Sequence, residues 1–208
     1  MVTAKYKPGF DRLIAPLISG LIRCRIHPTA ITIGGVVLVA FSCAFLLITR
    51  RVFPFCLLVT IAALTDAVDG AVARVTGQVS RFGSYLDAMC DRYVEAGVML
   101  TVAAVTGYWA LSMTLVIGSL LVSYAKARAA MEVAVSNVEW PDLMERTERD
   151  VVYIIGLAAG SLLPVTVLGR DLFWWTLAVL CVLVHLTVAQ RMWRAGRFIR
   201  SREESLSK

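Results

Sequence analysis

The chain has 208 residues, 58% of them hydrophobic and 17% charged, with a mean hydropathy of +0.73, an apolar share that excludes an ordinary soluble domain and implies an integral membrane protein. Its 21 basic residues outnumber its 15 acidic ones, but they gather at the two ends, outside the apolar runs, which suits anionic lipid and argues against nucleic-acid binding. Five cysteines, Cys24, Cys43, Cys56, Cys90 and Cys181, show no CxxC or Cys/His spacing, which excludes a zinc module, and their odd number excludes a complete disulfide framework.

Phe10, Leu13, Ile14, Leu17, Ile18, Leu21 and Ile22 recur at three- and four-residue spacing, the pattern of one apolar stripe on a helix. Asp11, Arg12, Pro16, Arg23 and Arg25 interrupt the segment, so residues 1–28 are expected to form a juxtamembrane amphipathic helix lying in the interface. His27-Pro28-Thr29 breaks that helix, and Thr29 is the expected cap of the next one. Six apolar runs follow, near residues 30–49, 53–75, 84–107, 109–133, 150–169 and 172–193, each near the roughly 20 residues that span a bilayer. The predicted fold is an all-α membrane protein forming one domain over residues 1–208, with a bundle of six transmembrane helices over 29–195 and a cytoplasmic tail over 196–208 that is polar and expected to fray from Ser201 to Lys208. With both termini in the cytoplasm, only Arg50, Arg51 and Arg170 of the basic residues fall outside, as the positive-inside bias requires.

Between Asp66 and Asp91 stand four carboxylates that border long apolar runs. Acids beside hydrocarbon are costly and mark function. Asp66 and Asp69 are three residues apart and Asp87 and Asp91 four apart, so on helices each pair shares a face. Four such acids on facing helices repel one another unless cations neutralise them, and hard oxygen ligands suit Mg²⁺ or Mn²⁺. A membrane cation or proton pathway would also bury acids, but it leaves the nearby glycines and Arg74 unexplained.

Written out, the segment is D-x2-D-G-x2-A-R-x8-G-x3-D-x3-D, from Asp66 through Asp69, Gly70, Ala73, Arg74, Gly83 and Asp87 to Asp91. It resembles the signature of the CDP-alcohol phosphotransferase family at every specified position. That resemblance implies a phosphatidyltransferase of phospholipid biosynthesis in the cell membrane, with its site facing the cytoplasm and two divalent ions held by Asp66, Asp69, Asp87 and Asp91. Asp91 would also be the general base for the acceptor hydroxyl. The CDP-activated lipid donor is expected against Gly70, Ala73, Arg74, Ser80, Gly83 and the segment Thr29, Ala30, Ile31 and Thr32, and homodimerisation is expected from the family alone. Glycines at 70 and 83 suit close approach of a ligand or backbone, and Arg74 lies one helical turn beyond Gly70, able to donate to phosphate or base.

The acceptor must be read elsewhere. Lys126, Arg146 and Arg149 are candidate ligands of an acceptor phosphate, within K-A-R and E-R-T-E-R elements similar to those of prokaryotic phosphatidylinositol-phosphate synthases and their archaeal relatives, with Thr147 in place of a proline. The similarity implies a polyol-phosphate acceptor, inositol phosphate first and glycerol 3-phosphate second. Glu145, Glu148 and Asp150 offer the alternative of a locally salt-bridged turn. Arg191 and Arg194 are further candidates for that pocket or for membrane anchoring, Trp109, Trp174 and Trp175 fit an interfacial belt, and His185 reads as a packing residue. Glu95, four residues after Asp91, either pairs with a basic residue or tunes Asp91.

Overall fold

The computed structural model describes residues 16–132 and 143–206, apart from Leu17 and Arg25 and from the side chains of Asp66, Ala67, Ser205 and Leu206. Phe10, Leu13, Ile14 and the Trp140-Pro141 pair therefore lie outside the described residues. Two compact units divide the chain, Met1–Thr101 and Val102–Lys208.

In the first unit, α1 spans Pro28–Thr49 and α2 spans Val52–Thr76. Proline at the first helical position forces His27 into extended backbone (φ −70°, ψ 139°), and the His27 Nδ1 accepts the Thr29 N–H at 3.3 Å. His27, not Thr29, is the cap. Arg50, in left-handed backbone at φ 57°, ends α1 by donating its N–H to the Leu46 carbonyl, so the chain turns at once into α2. The two helices pack antiparallel: Thr32 meets Asp69, and a Cβ on Gly35 would lie 2.7 Å from Thr65 Oγ1. Residues 18–23 are helical, and Ile18, Leu21 and Ile22 join Ile31 in packing against Val68, Ala71 and Val72 of α2. The described part of the amphipathic stripe thus faces the start of the acidic signature. Next, α3 runs over Arg81–Thr106.

In the second unit, α4 (Trp109–Glu132) and α5 (Arg146–Leu162) both pack on α6 (Leu172–Leu206). Small residues allow the approach: a Cβ on Gly118 would lie 2.5 Å from Val184, one on Gly156 2.2 Å from Thr176, and one on Gly160 3.0 Å from Phe173. The fifth apolar run does not stay helical to 169 as expected. Leu163 precedes Pro164 and adopts φ −115°, ψ 102°, which closes α5 at Leu162. A short hairpin follows, β1 (Thr166–Val167) against β2 (Arg170–Asp171), turning through Leu168 and Gly169 at φ 51° and 73°. Asp171 then caps α6, accepting the Trp174 N–H at 2.8 Å, and its other oxygen accepts the Tyr108 hydroxyl at 2.8 Å. That bond holds the Tyr108 pKa above its ordinary value. His185 is a packing residue, its Nδ1 2.9 Å from the Cys181 carbonyl oxygen. Nor does the chain fray from Ser201, because α6 continues to Leu206.

Four helices among the described residues, α1, α2, α4 and α6, are long and apolar enough to cross a membrane. Charged side chains interrupt α3, and α5 has only 17 residues.

The Gly156 contact is checkable. Gly156→Ala should destabilise the purified protein by about 1–3 kcal/mol through overpacking, seen as a lower Tm in detergent. Adding Thr176→Ala should restore most of the loss, and a pair that is no more stable than the single variant would show that this contact is not tight.

Candidate active site

The signature lies where α1 begins, α2 ends and α3 begins, all within the first unit. Asp69 is buried on the inner face of α2, and its Oδ2 accepts the Thr32 hydroxyl at 2.5 Å. The same hydroxyl lies 3.3 Å from the Pro28 carbonyl oxygen. A buried carboxylate without a donor is expensive, and α1 supplies one in Thr32.

The connection from α2 to α3 is short because both ends are capped. Gly77, at φ 68°, terminates α2 with its N–H directed at the Ala73 and Arg74 carbonyls, and the Gln78 N–H reaches the Ala73 carbonyl at 3.0 Å. Only glycine adopts that left-handed position at little cost. Ser80 Oγ accepts the Gly83 N–H at 2.9 Å, which makes Ser80 the N-terminal cap of α3. A Cβ on Gly83 would sit 2.9 Å from that same oxygen, whereas one on Gly70 would meet only Arg74 Nη1, at 3.3 Å.

These segments enclose a cavity of about 310 Å³, the lower end of the range for small-molecule sites. Pro28, Thr29 and Thr32 line it from α1, and Asp69, Gly70, Ala73 and Arg74 from α2. Gln78, Val79 and Ser80 come from the connection, and Gly83, Ser84, Leu86 and Asp87 from α3. Of the residues expected against the donor, Thr29, Thr32, Gly70, Ala73, Arg74, Ser80 and Gly83 meet there. Ala30 and Ile31 do not line it, and Ile31 is turned into the Val68–Val72 cluster. Pro28, Gln78, Val79, Ser84 and Leu86 were not anticipated. Ser84 was legible, since it lies one turn after Ser80 at the start of α3.

Asp69 and Asp87 face this cavity, and Asp91 lies one turn further along α3. The side chain of Asp66 lies outside the described residues, and among those described no three His, Cys, Asp or Glu side chains are gathered closely enough to hold a metal ion. In kind, the donors fit a hard divalent cation: carboxylates from adjacent helices, one of them oriented by a hydroxyl behind it.

The basic residues expected to hold an acceptor phosphate all belong to the second unit. Lys126 lies on α4, and Arg146 and Arg149 on the first turn of α5. Arg149 is only 1% exposed, the largest fully buried side chain described. Arg146 Nε stands 3.5 Å from Asp150, while Glu148 accepts the Glu145 N–H at 3.2 Å in a capping arrangement. The local acids therefore serve Arg146 and the helix end. Arg191, on α6, is also buried and donates to the Val122 carbonyl, one turn before Lys126 on α4.

The family model of the CDP-alcohol phosphatidyltransferases matches residues 25–182. The chain belongs to that family. It is therefore a membrane transferase, and the acids of α2 and α3 are not read as a transport pathway. Phosphatidylinositol phosphate synthase of Mycobacteroides abscessus is 31% identical over 196 residues, 88% of this chain and 83% of that protein. Archaetidylinositol phosphate synthase of Pyrococcus horikoshii is 29% identical over 196 residues, 93% of this chain and 96% of the relative. The crystal structure of Mycobacterium tuberculosis phosphatidylinositol phosphate synthase with CDP-DAG bound superposes with a TM-score of 0.76 at 26% identity, over 88% of this chain and 94% of that one. A second structure of that enzyme, in complex with manganese and citrate, has a TM-score of 0.76 at 25% identity, over 86% and 87% of the two chains.

The cap on α3 can be separated from any contact with substrate. Ser80→Ala should cost about 1 kcal/mol of stability and Ser80→Asp almost none, because aspartate caps as well as serine. Thermal unfolding of the two variants checks this, and equal losses would remove the capping role.

Proposed function

We propose that the protein transfers a phosphatidyl group, or an archaeal equivalent, from a CDP-activated lipid to a hydroxyl of inositol phosphate, releasing CMP. What carries the acceptor assignment is the agreement of relatives spanning most of the chain, bacterial phosphatidylinositol phosphate synthase and archaeal archaetidylinositol phosphate synthase alike. The donor assignment is supported by the cavity between α1, α2 and α3 and by the resemblance to an enzyme crystallised with CDP-DAG.

In this reading Asp66, Asp69, Asp87 and Asp91 hold Mg²⁺ or Mn²⁺, two ions in all, the manganese complex of the tuberculosis enzyme being the nearest support. When bound, the metal neutralises charge on the pyrophosphate oxygens and on the departing CMP. Arg74 donates to the donor's phosphate or base, and Gly70 and Ala73 leave room for the nucleotide beside α2. Thr32 orients Asp69 by donating to its Oδ2 from behind, which fixes the direction the carboxylate would present to a cation. Asp91 accepts the proton of the acceptor hydroxyl as that oxygen attacks phosphorus. Lys126, Arg146 and Arg149 recognise the acceptor's phosphate, and the burial of Arg149 strengthens its pull on an anion by lowering the local dielectric.

Six crossings with both termini in the cytoplasm complete the reading. Support comes from the distribution of charge, 18 basic residues on the inner side against Arg50, Arg51 and Arg170 on the outer. The 17 residues of α5 reach about 26 Å, close to the hydrocarbon thickness. Residues 1–28 lie in the interface and 29–195 form the six-helix bundle of a single domain over 1–208, and the chain pairs with a second copy, this last on the family resemblance alone.

Purified protein offered CDP-diacylglycerol and a panel of radiolabelled acceptors should release CMP with inositol phosphate and depend on Mg²⁺ or Mn²⁺. Turnover with glycerol 3-phosphate but not inositol phosphate would overturn the acceptor, and no CMP release from a folded sample would overturn the reaction. Asp91→Asn should reduce kcat by at least about 100-fold while the protein stays folded, in line with the loss of a general base. Arg149→Lys keeps the charge but loses the guanidinium fork. It should raise KM for the phosphorylated acceptor about tenfold and leave that for the lipid donor within about twofold. Equal changes in both would contradict the acceptor assignment.

A further inference from the structure

Gln190 is a half-buried amide on α6 that the proposed chemistry leaves unused, and its Oε1 accepts the Leu143 N–H at 2.9 Å. An N–H can only donate, so the oxygen of the amide, not its nitrogen, must face Leu143. That donor belongs to the segment leading into α5: Met144 is buried, Glu145 caps the helix, and Arg146 and Arg149 stand on its first turn. The helices α5 and α6 run antiparallel, with Gly160 against Phe173 and Gly156 against Thr176 near one end. Leu143 lies as many residues before Gly160 as Gln190 lies after Phe173, so the bond carries the same register to the other end. One residue on, Arg191 donates to the Val122 carbonyl of α4, one turn before Lys126. A single turn of α6 therefore holds both the entrance of α5 and the part of α4 that carries Lys126.

We infer that Gln190 is a positioning residue for acceptor recognition, holding the first turn of α5 on α6 so that Arg146 and Arg149 are presented to the acceptor's phosphate from a fixed place. The capping bonds between Glu145 and Glu148 fix where α5 begins, but both residues lie on one segment and neither sets what that turn faces. The tight contacts of Gly156 and Gly160 act about two turns or more beyond Arg149, toward the far end of α5. A guanidinium fork recognises phosphate by direction as well as by charge, so a turn free to shift loses geometry before it loses attraction. One ordinary hydrogen bond is modest in net strength, which suits placing a turn rather than holding a fold together. This rests on the reading of Arg146 and Arg149 as ligands of the acceptor phosphate.

The test measures steady-state kinetics of the full chain in nanodiscs with CDP-diacylglycerol and radiolabelled inositol phosphate, and hydrogen exchange at the Leu143 amide on the same samples. Gln190→Met keeps the length of the side chain and removes the accepting oxygen. It should raise KM for inositol phosphate about three- to tenfold, the weight of one ordinary hydrogen bond, leave KM for the lipid donor within about twofold, and quicken exchange at Leu143. Leu143→Pro removes the donor instead. In that background Gln190→Met should change KM for inositol phosphate by less than about twofold, a coupling that a double-mutant cycle reads directly. A parental KM for inositol phosphate in Gln190→Met, equal changes in both KM values, or the full effect of Gln190→Met in the Leu143→Pro background would overturn the inference. Should either variant fail to fold, Gln190→Ala and Gln190→Glu decide: exchange at Leu143 should quicken in the first and stay parental in the second, which keeps an accepting oxygen, and equal rates in the two contradict the bond. Arg149→Lys in the same assay separates the two claims. An unchanged KM for inositol phosphate there removes the premise, whereas a raised KM there with a parental Gln190→Met overturns the role of Gln190 alone.

Discussion

A buried carboxylate at the end of an apolar helix pair sets the terms for the rest of the first unit. Asp69 is 6% exposed and accepts the Thr32 hydroxyl at 2.5 Å across the α1–α2 contact. Leaving that acid without a donor would cost more than an average hydrogen bond contributes, so the bond constrains register more than it adds stability. Once Thr32 faces Asp69, the antiparallel pairing brings Gly35 opposite Thr65, where the missing Cβ gives room for the threonine hydroxyl. The start of α1 is also pinned there, since Pro28 offers its carbonyl to the same threonine and His27 caps the helix just before it. A local polar requirement therefore fixes how two otherwise lipid-compatible rods meet.

The cavity beside Asp69 exists because the chain turns quickly. A helix ended by Gly77 and another begun at Ser80 leave only a short connection, so the last turn of α2 and the first of α3 lie near one another with the start of α1. Side chains near the turn stay small, Gly70, Ala73, Ser80 and Gly83, while Arg74, Asp69 and Asp87 supply charge around the space. The result is a polar recess built on helix ends, where backbone donors and acceptors are already being satisfied by caps. A site in the middle of a span would need the same groups to be paired entirely within hydrocarbon.

How far the sequence discloses this depends on whether a feature is local. Among the described residues the apolar runs locate the helices α1 to α6, because the burial or lipid exposure of a helix leaves a continuous record in composition. The signature spacing brings Asp69, Gly70, Ala73, Arg74, Gly83 and Asp87 to one cavity, since those residues lie on two helices joined by one turn. Errors arise where a neighbour decides. Composition extends the fifth span to 169, but Pro164 imposes an extended residue at Leu163 and the apolar Val165, Val167 and Leu168 go into a hairpin. Thr29 looks like a cap, yet proline at the first position hands that role to His27. Ile31 is placed by its contacts with Val68 and Val72, which no spacing within residues 29–32 could reveal. Glu95 does pair with a basic residue, Arg92, at 3.2 Å, a contact the sequence left open among its options for that acid.

A division runs through the chemistry as well. Every residue read for the lipid donor or the metal falls within Met1–Thr101, and every one read for the acceptor phosphate falls within Val102–Lys208. The donor half must handle a pyrophosphate and a cation whatever the acceptor is, which ties it to fixed spacing on two helices. The acceptor half needs only positive charge of suitable shape, and it is held differently. Arg149 is buried at the first turn of α5, where Glu148 caps the helix end, and Arg191 is anchored on the Val122 carbonyl one turn from Lys126. Buried guanidiniums place fixed positive charge in this unit, the chemistry by which a phosphorylated acceptor would be recognised. In the proposed reading that charge suits a phosphorylated polyol better than a free alcohol, and it assigns acceptor recognition to residues of α4, α5 and α6.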